Sequence, residues 1–191
     1  MEELQQFLKS YATSPRPNAH HQPGFMYTSP EVYNLEKEAI FMKHWICLGR
    51  EEEIPHPGDY LTFRVADEPV VVCRDREGRI NAFSNVCAHR GTEVAAGCGN
   101  AKAFHCPYHG WVYDLTGKLL AAKYMEDASG FDLQDCRLPS VKVDSWGGFL
   151  FVNFDRNSEP LINFLGDVPE VYGPYKSENL RLAAKFTIEL D

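Results

Sequence analysis

The sequence contains no apolar run near the roughly 18 residues that a membrane-spanning helix requires, and its N-terminus lacks the apolar core of a secretory signal. Positive charge is in short supply: 19 Lys and Arg stand against 27 Asp and Glu, a formal net charge of −8. With a sequence pI near 5.4 there is no basic surface for phosphates, so neither nucleic acid nor membrane is an expected partner. A cytoplasmic protein is the default. Cysteine is too sparse for a disulfide framework, at 6 in 191 residues. Apolar residues at 44% and aromatics at 13% exclude a disordered chain and allow one ordinary domain with an arm.

The first 28 residues read as an arm. Glu2 to Tyr11 can form a short amphipathic helix with Leu4, Phe7, Leu8 and Tyr11 on one side, and Ser14-Pro15-Arg16-Pro17 breaks it. Ser29 is a good N-cap with Pro30 in the first helical position, which predicts a helix running to about His44. From Trp45 onward short strands alternate with turns: Tyr60 to Val65, Pro69 to Arg74, Ile80 to Asn85, Trp111 to Tyr113, Lys118 to Ala121, Val141 to Asp144 and Gly148 to Asn153. Asp114-Leu115-Thr116-Gly117 is a turn between two of them. The pattern predicts a mainly β fold, an antiparallel sandwich or small barrel. Pro160 to Asn179 reads as irregular or helical, and a new apolar alternation at Leu182, Ala184, Phe186 and Ile188 looks like the start of a strand. The expected division is an arm and helix over 1–44, a β domain over 45–157, and a linker over 158–191 leading into a further domain.

Two segments carry chemistry. Cys87-Ala88-His89 and Cys106-Pro107-Tyr108-His109 form C-x-H, sixteen residues, then C-x-x-H, with Gly91 and Gly110 following the histidines. Each segment offers one thiolate and one imidazole from a tight turn. They could hold one zinc ion in an S₂N₂ site, or a [2Fe–2S] cluster with both thiolates on one iron and both histidines on the other. The C-x-H gap is tighter than zinc knuckles use. Tyr108, Trp111, Phe83 and Phe104 also suggest the dry wall that a redox cluster requires. Both features favour iron–sulfur over zinc.

These residues resemble the Rieske family, and specifically the N-terminal domain of Rieske non-haem iron oxygenase large subunits. The resemblance rests on Asn85-Val86-Cys87-Ala88-His89-Arg90-Gly91 and Cys106-Pro107-Tyr108-His109-Gly110-Trp111, and extends through Trp45, Pro57-Gly58-Asp59-Tyr60, Arg74-Asp75 and Gly148 to Asn153. Respiratory and photosynthetic Rieske proteins carry an additional cysteine in each ligand loop. Thr92 and Tyr108 occupy those positions here, so the oxygenase or ferredoxin branch fits. The resemblance implies a Rieske-type fold with a cluster-binding subdomain, and Cys87, His89, Cys106 and His109 as the ligands of one [2Fe–2S] cluster. It implies single electrons arriving from a ferredoxin or flavin reductase that uses NAD(P)H. They would pass to a mononuclear ferrous iron in a C-terminal domain that this chain does not include, in a homotrimer that oxidises a small organic substrate with O₂. A free-standing Rieske ferredoxin and a zinc-bound structural module are the alternatives.

Other candidates carry less. Cys47 and Cys73 lie in apolar, strand-like runs, and Cys98 and Cys136 among loop residues, which makes all four plain thiols. Trp111 reads as a packing lid, and His105 as pointing away from the ligands. Arg90 serves either its own loop or a partner. Glu51-Glu52-Glu53 reads as a solvated turn, with docking of a basic partner as the sharper alternative.

Overall fold

The computed structural model describes residues 2–12, 21–125 and 128–189. The expected break at Ser14–Pro17 lies outside them. The chain divides into two compact units, Met1–Glu36 and Lys37–Asp191. In the first, α1 (Glu2–Ala12), α2 (Phe25–Thr28) and α3 (Pro30–Glu36) are short helices. Phe7 and Phe25 pack with ring centroids 5.5 Å apart. Ser29 caps α3 as expected, its hydroxyl accepting from the Val32 N–H at 3.4 Å.

The helix predicted to reach about His44 is α-helical to Glu36 and then changes type, with the His44 N–H still donating to Ile40 O at 2.9 Å. Lys37–Phe41, in the second unit, forms a π-type turn in which the Met42 N–H donates to Lys37 O, five residues back, at 2.9 Å. Phe41 packs on the aliphatic core of that unit.

The rest of the second unit is mainly antiparallel β. A seven-stranded sheet comprises β1 (Ile46–Arg50), β2 (Asp59–Val65), β3 (Glu68–Arg74), β4 (Ile80–Ser84), β5 (Cys98–Asn100), β9 (Ser140–Trp146) and β10 (Phe149–Asn153), in the order β1-β10-β9-β4-β3-β2-β5. A three-stranded sheet of β6 (Phe104–His105), β7 (Val112–Tyr113) and β8 (Leu119–Ala121) lies beside it. The sequence reading did not single out β5 or β6; two or three residues are too few to show a period. Cys98 accordingly sits on a short edge strand rather than in a loop.

The unbroken apolar run of β3 has a physical reason. Val70 and Val72 belong to one core, with Ile54, Val65, Ala82, Leu150 and Val152. Val71 and Cys73 face the opposite core, with Phe83, Cys87, Phe104, Cys106, Trp111 and Tyr113. Covered on both faces, the strand needs no polar alternation. Its second face is the floor on which the small sheet and both Cys-His segments rest.

Glu51–Glu53 is not a solvated turn. All three carboxylates are partly buried and paired: Glu51 with Arg74, Glu52 with Arg50 and Arg181, and Glu53 with Lys185. Downstream, α4 (Leu161–Leu165) and α5 (Val168–Tyr172) lead into two 3₁₀ turns and then an extended segment with no strand partner among the described residues. Among the described residues, no helix is long and apolar enough to cross a membrane.

Candidate metal centre

The first Cys-His segment follows β4 and the second caps the β6–β7 hairpin, so the sheet floor and the small sheet hold them on the same core. Their backbones turn identically. The Cys87 N–H donates to Thr92 O at 2.8 Å and Cys87 O accepts from the Gly91 N–H at 2.9 Å; the Cys106 N–H donates to Trp111 O at 2.8 Å and Cys106 O accepts from the Gly110 N–H at 3.0 Å. The closing glycine is four residues after the cysteine in both, at φ 74° for Gly91 and 71° for Gly110. Little or nothing lies near the Cβ that either glycine would carry, so the need is for the left-handed backbone rather than for space. What differs is the histidine, second after the cysteine in one turn and third in the other.

Both thiols are buried, Cys87 at 2% and Cys106 at 4% exposure. The His89 and His109 rings lie 4.6 Å apart, and Trp111 stacks on His89 at 4.8 Å with an interplanar angle of 5°. Phe83, Phe104 and Trp111 form the expected dry wall. Tyr108 does not: it is 58% exposed and stacks on His109 from outside at 3.9 Å. His105 is exposed on β6, as its position in the strand predicts, and Arg90 is exposed on the first loop.

His109 Nδ1 and Trp111 Nε1 are buried with no hydrogen-bond partner among the described residues. A buried polar group left unpaired costs about 1–3 kcal/mol, a cost that a bond from Nδ1 to a metal removes. Burial, then the charges on His89 and Arg90, hold the His109 imidazole below its ordinary pKa; the neutral ring is the form that binds metal. A diiron cluster asks for two side-chain ligands per iron. Buried thiols, a shut-in imidazole nitrogen and an aromatic wall fit that group.

Two supporting residues matter beyond the motif. The Tyr113 hydroxyl is 3.2 Å from Cys87 Sγ and accepts from the Ala88 N–H at 3.1 Å. Burial first, then the contact with Cys87, push its phenol well above the ordinary value, so it stays protonated and able to donate to a thiolate. The period-two signal for it was present, since positions 111 and 113 of a strand share one face. Asn85, fully buried, accepts from the Val94 and Ala95 N–H groups at 3.1 and 3.0 Å and donates to Ala95 O at 2.8 Å. It braces the far end of the first loop. Cys73 lies beneath, its thiol near Leu115 O at 3.5 Å and pushed up to about 12, by burial first and then by Asp75 and Asp114. At ordinary pH it remains an inert thiol.

A two-layer antiparallel fold presenting paired sulfur and imidazole donors from matched turns defines an iron–sulfur electron-transfer domain. Residues 44–142 match the family described as Rieske [2Fe-2S] domain, and the chain belongs to that family. It is 39% identical over 172 residues to a carnitine monooxygenase oxygenase subunit of Acinetobacter baumannii, covering 87% of this chain and 46% of that protein. It is 39% identical over 144 residues to a benzene 1,2-dioxygenase subunit alpha of Pseudomonas putida, covering 74% of this chain and 32% of that one. Among solved structures, the quaternary ammonium Rieske monooxygenase CntA in its apo form superimposes with a TM-score of 0.82 at 37% identity, covering 88% of this chain and 50% of that chain. The chain thus spans less than half the length of these oxygenase subunits. A further structure of a quaternary ammonium Rieske monooxygenase, with a TM-score of 0.81 and 37% identity, covers 86% of this chain and 46% of that chain and is described with inter-subunit electron transfer.

Proposed function

We propose that Cys87 and Cys106 bind one iron of a [2Fe–2S] cluster and His89 and His109 the other. The domain then serves as the electron-transfer part of a terminal oxygenase. It takes single electrons from a ferredoxin or flavin reductase that draws on NAD(P)H, and passes them between subunits of a homotrimer to a mononuclear ferrous iron in a C-terminal domain. The whole protein oxidises a small organic substrate with O₂. When bound, such a cluster supplies one-electron chemistry at about −150 to +300 mV, because neutral imidazoles leave it less negative than four thiolates would.

The chain's own residues set the conditions. With a cluster bound and Cys87 a thiolate, the Tyr113 hydroxyl 3.2 Å away would be the donor and would favour the more negative, reduced state. Buried Trp111 covers one face of His89, and exposed Tyr108 covers one face of His109. The observation that carries the reading is the buried, unpartnered His109 Nδ1, with the His109 ring 4.6 Å from His89, on matched turns whose two buried thiols share one core.

Anaerobic reconstitution with iron and sulfide tests it. The expected product is red-brown with about two irons and two sulfides per chain, and nitrogen couplings from two histidines in pulsed EPR of the reduced protein. Binding of zinc alone, or a full complement of iron in Cys106→Ala, overturns the ligand assignment. For the oxygenase part, a coding frame that continues past Asp191 into a two-histidine, one-carboxylate set supports the reading, and a stop codon there overturns it in favour of a free-standing carrier.

A further inference from the structure

The segment from Ser177 to Lys185, which sequence patterning treats as linker, is tied to the sheet through one buried cation. Arg50, at the end of β1, is only 8% exposed. Its Nη2 donates to Ser177 O at 3.0 Å and Leu180 O at 2.8 Å, its Nη1 to Gly147 O at 3.3 Å, and it pairs with Glu52 at 3.2 Å. The guanidinium lies 4.6 Å over the Phe149 ring. Around this hub, Glu52 accepts from the Leu182 N–H at 2.5 Å and faces Arg181 at 3.5 Å, while Glu53 pairs with Lys185.

The β9–β10 turn is shaped for this arrangement. Gly147 and Gly148 have φ of 58° and 81°. A Cβ on Gly147 would meet Ser177 Oγ, and one on Gly148 would lie 2.7 Å from Arg50 Nη2. Two adjacent glycines therefore clear a channel for the arginine head and for the returning chain.

We propose that Arg50, with Glu52 and Glu53, is an electrostatic latch that holds residues 177–185 against the sheet and fixes the direction the chain takes from Ser177 onward. A planar guanidinium can serve carbonyls from separate segments at once, which a lysine ammonium does less well. The latch is graded. Its inner part is buried and little screened, whereas Arg181 and Lys185 are 70% and 62% exposed and make the weak, salt-sensitive kind of pair. Salt therefore frees the Lys185 end first and leaves the Leu180 end in place. This inference stands apart from the proposed ligands.

Amide hydrogen exchange on the 191-residue chain tests the latch. The Asn179, Leu180 and Leu182 N–H groups, bonded to Lys176 O, Ser177 O and Glu52 respectively, should be protected in the wild type. In about 0.5 M salt, exchange should quicken several-fold at Leu182, whose acceptor Glu52 also faces exposed Arg181, and less than about twofold at Leu180. Arg50→Met, which retains an aliphatic stem over Phe149, should speed exchange at Leu180 and Leu182 by about tenfold or more while the Val71 and Cys73 amides keep their protection. Absence of protection in the wild type, or unchanged exchange in a folded Arg50→Met, overturns the latch. If Arg50→Met loses protection throughout the sheet, Glu52→Ala decides: about threefold faster exchange at Leu182 supports the latch, and an unchanged rate overturns it.

Discussion

The seven-stranded sheet is stabilised by its ladders. β3 pairs with β2 from Val65↔Glu68 to Tyr60↔Cys73 and with β4 from Val70↔Ser84 to Arg74↔Ile80, and aliphatic side chains close the core on its far face. The three-stranded sheet has no comparable ladder: β6 and β7 pair through only Phe104↔Tyr113 and His105↔Val112. There, single polar side chains replace the ladder. Asp114 Oδ1 receives the Thr116 N–H, the Thr116 hydroxyl and the Lys118 N–H, Tyr113 holds Cys87 and Ala88, and Asn85 ties three backbone groups. The large sheet can be stable from its own burial. The small one draws on a few specific hydrogen bonds and, on the proposed ligand set, on the cluster it holds, because a metal that binds only the folded site contributes its binding energy to folding.

Cluster removal puts the greatest strain on this contrast. Stripping iron from the reconstituted protein with a chelator under reducing conditions should raise exchange of the Gly91, Cys106 and Gly110 amides on the order of a hundredfold. Val70 to Cys73 should stay protected. Uniform loosening of both sheets, or no change in either, would break the comparison.

Asn85→Ala comes next. It leaves the buried Val94 N–H, the part-buried Ala95 N–H and the Ala95 carbonyl of the first loop without their partner, and should cost about 3 kcal/mol in urea unfolding. A loss below about 1 kcal/mol would mean that the loop is held by its neighbours rather than by the amide.

The large sheet has buried polar anchors too, among them Asp75, at the turn after β3. Burial would raise its carboxyl, but donors from the Arg79 backbone, Asn81 and the Arg79 guanidinium hold it below the ordinary value. The folded value is the lower one, so its contribution is fully present above the unfolded Asp value of about 3.9 and is lost as pH falls through the folded value. Asp75→Ala should cost about 2 kcal/mol at neutral pH, and the difference from wild type should shrink in acid unfolding below about pH 4. A pH-independent difference would assign the effect to packing.

How much of this was legible in the sequence follows the same division. The long strands show because seven residues carry a period and because β3, covered on both faces, shows as a continuous apolar run. The turn at Asp114-Leu115-Thr116-Gly117 shows because turn chemistry is local. The two Cys-His loops stand out because their spacing is rare. Local pattern fails where a role is assigned by distant partners. Tyr113 looks like any strand aromatic until Cys87, 26 residues earlier, comes within 3.2 Å. Glu51–Glu53 looks solvated until Arg181 and Lys185 arrive from the far end of the chain. Tyr108 looks like wall because its neighbours in sequence are wall, yet the turn at Gly110 carries it outside.

Tyr113→Phe separates tuning from support. Removing the hydroxyl should cost about 1 kcal/mol of stability. By withdrawing a donor from Cys87 Sγ it should also lower the reduction potential of the reconstituted domain by about 50 mV, close to the 59 mV that a tenfold change represents for one electron. A potential unchanged beside a lower stability would make Tyr113 a brace only.

The smallest effect belongs to the ion pair that joins the two regions directly, Arg64 on β2 with Glu93 at the end of the first loop, 2.5 Å apart. Both side chains are about half exposed, at 57% and 46%. Screening and side-chain entropy therefore offset most of the attraction, and Arg64→Gln should change stability by about 0.5 kcal/mol or less. That residual should disappear in about 0.5 M salt. A loss above about 1.5 kcal/mol that persists in salt would show that the loop relies on a charge anchored in the large sheet. The cluster end would then be less self-contained in its polar bracing than Asn85, Tyr113 and Asp114 make it.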